Sequence, residues 1–264
     1  MRGLLFLLFL CLAPFWKSYS IGDIYIDRVT GKQLGTDGSK TNNLRVIDIR
    51  EWIYVLEEKG GPNSMPGIKE LHQNSSVITF NEYQIQQVIQ RVTDDTTQEG
   101  LENQLFIVLN VNNGRVYALR DWSPEFKTEK EIMINTYRIG SFGAPRIGEG
   151  LMLLGQLHSH PKENHSNKIN IRSVSEHDVE AAKSLEIPVF AVDAFILNDE
   201  FDSMQNHKNS RTSYIHLVNK TGVIKKFIGQ TYGMNGLNTF NFSKYFDFLL
   251  RKENEIQQYY KQIN

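Results

Sequence analysis

Two histidines stand one residue apart at the end of an apolar run, Leu151-Met-Leu-Leu-Gly-Gln-Leu157-His158-Ser-His160-Pro161. Side chains in a strand alternate with period two, so His158 and His160 point to one side and can share a metal ion. Pro161 stops the strand, having no N–H to offer a neighbour. Further on, Ser175 followed three residues later by Asp178 has the spacing of a helix N-terminus, and a chain returning there brings a carboxylate back toward the pair. Two imidazoles and one carboxylate make a three-ligand set with a fourth position for water, which is the pattern of catalytic rather than structural zinc. The same spacing ahead of Val179, Ala181, Ala182 and Leu185 also caps any amphipathic helix; capping and ligation are compatible.

His158-Ser-His160-Pro161 with Ser175-x-x-Asp178 resembles the His-x-His-Pro and Ser-x-x-Asp core of the JAMM (MPN+) zinc metalloproteases, a group that includes deubiquitinating isopeptidases and bacterial relatives. The likeness reaches from Glu99 to Phe227. Thirteen residues, Lys162 to Val174, separate Pro161 from Ser175, about twice the family's usual gap. Doubling a loop adds only about 0.6 kcal/mol of closure entropy. The resemblance implies zinc held by His158, His160 and Asp178, with a general base on a carboxylate just ahead of the first core strand. Glu102-Asn-Gln-Leu105-Phe-Ile-Val-Leu109 has that shape, which makes Glu102 the implied base and Glu99 and Glu149 its competitors. Ser175 is the implied oxyanion stabiliser.

The steps of chain that must position these groups are legible in outline. Asn81 caps a helical pattern with Ile85, Val88, Ile89 and Val92 on one face, closing in the polar Thr93 to Thr97 stretch. Leu105 to Leu109, Asn112-Asn-Gly114 and Arg115 to Leu119 form a hairpin, since Asn-Gly between apolar runs is a strong turn signal. A short helix is expected over Glu125 to Tyr137, a buried strand over Leu151 to Leu157, a helix over Glu176 to Leu185, a strand over Val189 to Leu197, and a pair from Tyr214 to Val218 and Val223 to Ile228. Helices alternating with hairpins predict an α+β fold, a mixed β-sheet flanked by helices and JAMM/MPN-like by resemblance.

Ahead of that lies a small β-rich segment with strands at Ile24 to Ile26 and Leu44 to Ile49, punctuated by turn formers. Its Lys32-Gln-Leu-Gly-Thr-Asp-Gly38 resembles β segments that precede toxin or effector domains in secreted bacterial proteins. Gly60-Gly-Pro-Asn-Ser-Met-Pro-Gly67 is dense in turn formers and marks a boundary. The division expected is a signal peptide over 1–20, the β-rich segment over 21–61, the JAMM-like domain over 62–242 and a C-terminal helix over 243–264.

Met1-Arg2, the apolar Gly3 to Phe15 and the small residues Ser18-Tyr-Ser20 read as a cleaved secretory signal. The run falls below the ~20 residues that span a bilayer, so no stable membrane insertion is expected after cleavage. The residues before Cys11 lack the small pair of a lipoprotein signal. Secretion or periplasmic residence is the expectation. Cys11 is the one cysteine in the chain and leaves with the signal, so any metal here must use histidine and carboxylate. The net charge of −1 becomes more acidic once Arg2 and Lys17 are removed, which speaks against nucleic acid as a partner. Of the remaining histidines, His165 and His177 are placed near the motif without a ligand role, and His72, His207 and His216 at the surface.

The function these readings predict is a secreted zinc-dependent peptidase or isopeptidase whose partner is a peptide or isopeptide substrate. Two others stay open: an inactive JAMM-like binding module, and a secreted toxin or effector carrying a JAMM-like domain.

Overall fold

The computed structural model describes residues 22–120, 135–161, 174–193 and 215–227. The expected signal segment, the loop 162–173, most of the helix expected at 125–137, the end of the strand expected at 189–197, His165, His207 and the expected C-terminal helix lie outside the described residues. Within them the fold is α+β, with four helices and two mixed sheets.

The smaller sheet has the order β2-β1-β3-β4, from β1 (Ile24–Asp27), β2 (Gln33–Thr36), β3 (Leu44–Ile47) and β4 (Ser76–Val77). β1 and β2 form an antiparallel hairpin, whereas β3 runs parallel to β1 and so is joined by a crossover. β3 is shorter than its apolar run suggests. Asp48 ends it, accepting from the Arg50 amide at 2.9 Å and capping α1 (Ile49–Glu58). This helix was hidden in a segment read as strands and turns; Trp52 and Val55, three apart, are its buried face. The turn-rich stretch then joins α1 to α2 (Met65–Asn74), which Ser64 caps and Pro66 opens. The first sheet continues past that stretch to β4.

The larger sheet is ordered β12-β11-β10-β9-β6-β7-β5, with β8 on β9. Its strands are β5 (Thr79–Phe80), β6 (Asn103–Asn110), β7 (Arg115–Arg120), β8 (Arg146–Gly148), β9 (Leu151–His160), β10 (Val189–Asp193), β11 (Ile215–Val218) and β12 (Ile224–Phe227). Asn110 to Gly114 makes the predicted turn. Gly114 has φ +74°, and a Cβ there would meet the Val77 carbonyl oxygen at 2.2 Å, so only glycine fits. α3 (Glu82–Glu99) begins at the predicted cap, Asn81, and runs through the polar stretch to a left-handed Gly100. Its Ile85, Ile89 and Val92 lie on Leu105, Ile107, Leu109, Leu157 and Phe190 of the sheet, forming the main core. Each such side chain, fully buried, contributes roughly 1.5–3 kcal/mol. Ile26 and Val46 of the small sheet join that core, and Arg146 and Ala144 bond to the Arg28 and Val29 carbonyls. The N-terminal layer is therefore part of the same hydrophobic body.

α4 (Glu176–Leu185) covers the opposite face, as the crossover between the parallel strands β9 and β10. Its bounds are those the sequence predicts. β9 does not alternate strictly along its length. Val108 pairs with Leu153 and Ile107 with Gly155, leaving Leu154 as an extra residue in a β-bulge. Met152 and Leu154 therefore face the main core together with Leu157, while Gln156, His158 and His160 face the α4 side.

Candidate functional site

His158 and His160 close the central strand β9, and both are buried. Ser159 between them turns to the other face, where its hydroxyl meets Thr96 Oγ1 of α3 and the Asn103 carbonyl oxygen at 3.3 Å. That clamp fixes the strand end from behind. Ala191 of β10 is the neighbour of His158, and its small side chain leaves room for the ring.

The imidazole Nε2 atoms face each other at 3.2 Å. Two nitrogens bound to a tetrahedral zinc at about 2.0–2.1 Å lie about 3.3 Å apart, so the pair has the spacing a shared metal requires. Burial, the first cause, pushes the His158 imidazole down to about 4; the neighbouring His160 acts in the same direction and Asp178 opposes both. His158 is thus neutral across the physiological range, the form that ligates.

Asp178 Oδ2 lies 3.8 Å from His158 Nε2 but is turned to its own helix cap. It accepts from the Ser175 amide at 2.6 Å and the Ser175 hydroxyl at 2.8 Å, while the Asp178 amide donates to Ser175 Oγ at 3.2 Å. This is a complete capping box. The oxygen that closes the cap is also the one nearest His158.

Glu102 precedes β6 and is buried. Asn103 pairs with Ser159 and Gln104 with His158, so the register carries Glu102 to the end of the sheet where His160 sits. Its competitors are placed differently. Glu99 is exposed at the end of α3 and accepts from Asn103 Nδ2 at 3.1 Å. Glu149 is exposed in the turn before β9, roughly 30 Å along the strand from His158 at about 3.3 Å per residue.

Two glutamines were not singled out in the sequence. Gln156 Oε1 lies 3.3 Å from His158 Nδ1, and Gln156 Nε2 donates to Gln104 Oε1 at 3.1 Å. The available signal was period two: Gln156, His158 and His160 are alternate polar positions closing an apolar run, and Gln104 has the same parity as Glu102 just ahead of Leu105.

A second cluster was missed as well. Among the described residues, the one group whose three ligand atoms all lie within 4.8 Å of one another is Asp23, Asp37 and His72. It could hold a metal ion. His72 is half-exposed, with 32% of its side chain accessible, but it is paired: Nε2 sits 3.0 Å from Asp37 Oδ2 and 3.4 Å from Asp23 Oδ2. Both carboxylates already have donors: Asp23 takes Arg45 Nε at 2.5 Å and the Asn43 amide at 2.8 Å, and Asp37 takes the Tyr25 hydroxyl at 2.8 Å and the Ser39 amide at 3.0 Å. Burial and the Asp37 carboxylate push the Tyr25 phenol far up, so it remains a donor. His216, expected at the surface, is instead buried in β11 beside Ala191. His177 is exposed on α4, 3.9 Å from Glu180.

Among the described residues no helix is long and apolar enough to cross a membrane. Compared with models of protein families and with curated proteins, the chain matches none of either.

Proposed function

We propose that the chain is an exported zinc-dependent peptidase or isopeptidase of JAMM-like type, acting at the end of β9. The observation that carries this reading is the 3.2 Å spacing of two buried Nε2 atoms, with a buried carboxylate, Glu102, entering at the same sheet end. His158, His160 and Asp178 would hold the metal, and zinc so held polarises a carbonyl and makes water nucleophilic near neutral pH. Glu102 takes the proton from the attacking water and passes it to the leaving amine.

The capping box adds a coupling to this chemistry. The Ser175 hydroxyl donates to Asp178 and so commits its proton to the cap. If Asp178 turns toward the histidines, that proton is released for the developing oxyanion. The Ser175 cap and the ligand set are then two positions of one carboxylate.

Purified protein should contain about one zinc per chain by elemental analysis and lose it in the His158→Ala, His160→Ala double variant. A peptide-library digest of the zinc-loaded protein should give cleavage that a chelator stops. Zinc retained in the double variant but lost in His72→Ala would move the metal to the N-terminal cluster and overturn the reading. The export part has its own test: N-terminal sequencing of material from outside the cytoplasm should begin within a few residues of Ile21, and an intact Met1 on that material refutes it.

A further inference from the structure

A histidine that binds through Nε2 must carry its proton on Nδ1, and something must hold it there. In a buried site that partner cannot be bulk water. Gln156 Oε1 faces His158 Nδ1 at 3.3 Å, and a carbonyl oxygen in that place asks for an N–H. What aims the oxygen is the other end of the same amide. Gln156 Nε2 donates to Gln104 Oε1 at 3.1 Å, and with its nitrogen so committed the amide has its oxygen toward the ring. Gln104 in turn is the cross-strand neighbour of His158, and Gln156 is two residues before it, so all three side chains share one sheet face.

The geometry points to Gln156, oriented by Gln104, as a positioning residue that keeps His158 in the Nδ1–H form and presents its Nε2 lone pair to the position beside His160 Nε2. This rests on the zinc reading given above. Two amides form a directed chain from β6 to the ligand, and Gln156 is nearly fully buried, where such a chain has no competing solvent. The relay takes no part in the reaction itself. Its effect is to remove the other tautomer, in which Nε2 carries the proton and cannot bind a metal.

The test compares wild type with Gln156→Leu, Gln156→Glu and Gln104→Leu, each as the full mature chain. Zinc affinity is measured by competition with a chromogenic chelator, and the tautomer of His158 by nitrogen–proton correlation spectra of the zinc-free protein. Gln156→Leu should weaken zinc by about 10–100-fold and move His158 toward the Nε2–H form. Gln156→Glu, which keeps an acceptor facing Nδ1, should restore both readouts toward wild type. Gln104→Leu should shift both less, since it acts through Gln156; it also serves if Gln156→Leu does not fold. The inference is overturned if wild type binds zinc and the Leu variants change neither affinity nor tautomer, or if Gln156→Glu behaves as Gln156→Leu does. Wild type that binds no zinc at all overturns the underlying functional reading instead, and the inference with it.

Discussion

Glu102→Gln should leave zinc content unchanged and lower hydrolysis by about 10²–10⁴-fold, the range that a positioned general base supplies. Glutamine keeps the length and planar shape of the side chain but cannot accept a proton from water at neutral pH. The effect should fall on kcat, because the base acts in the transition state rather than in binding. Thermal unfolding should move little, since the substitution is nearly isosteric. Glu99→Gln, at an exposed helix end, and Glu149→Gln, at the opposite end of β9, serve as controls and should retain wild-type turnover. Full loss in either control with zinc retained, while Glu102→Gln stays active, would reassign the base. Equal inactivity of wild type and all variants, each with zinc bound, would favour the binding-module alternative.

The second large effect is on stability and lies far from the histidines. Asp23 is fully buried, with Arg45 Nε at 2.5 Å and the Asn43 amide and side chain at 2.8–3.3 Å. Asp23→Ala leaves the Arg45 guanidinium, itself 11% exposed, without its counter-charge. Breaking a buried pair from one side costs about 3–5 kcal/mol. At about 2–4 °C per kcal/mol for a domain of this size, the melting temperature should fall by about 10 °C. Adding Arg45→Leu should recover part of the loss, because the stranded charge is then gone. A fall of less than about 1 kcal/mol in Asp23→Ala would mean that Arg45 finds other partners.

The same cluster sets an acid limit. Burial alone would raise the Asp23 carboxyl, but the Asn43 amide, the Arg45 guanidinium and the neighbouring side-chain donors outweigh it and hold the group below its usual range. Asp37 is lowered in the same way, burial being outweighed by Ser39, Tyr25 and the Asp23 amide. Carboxyls with depressed folded-state values contribute stability that is complete above the unfolded value, about 4, and is lost as the pH falls through the folded one. Stability should therefore begin to fall below about pH 4, and should fall less steeply with pH in Asp23→Asn, which has no carboxyl to protonate.

How much of this was legible differs from element to element. The hairpin at Asn112 to Gly114 and the α4 bounds follow from turn and cap residues, which act locally, so local reading finds them. The same holds for the two histidines on one face. α1 was missed because its apolar residues, Ile49, Trp52 and Val55, follow directly on a strand and read as its continuation; the Asp48 cap is the only break. The Asp23, Asp37 and His72 cluster was missed for a different reason. Its members are 14 and 35 residues apart and meet only through the fold of the small sheet on α2. The capping box was legible, but not that Asp178 would turn to it rather than to the histidines.

The extra residue at Leu154 sets how tolerant this strand can be to change over evolutionary time. Substitutions among Met152, Leu153 and Leu154 alter packing by a methylene or two, a modest effect. Insertion and deletion there are not equivalent. With Leu154 removed, the strand returns to strict alternation and every residue beyond it keeps its side, whereas one further inserted residue, unless a wider bulge holds it, moves Leu157 out of the main core and both histidines into it. Change should thus be free in residue identity between Leu151 and Leu157, tolerant of the loss of the one extra residue and closed to the gain of another.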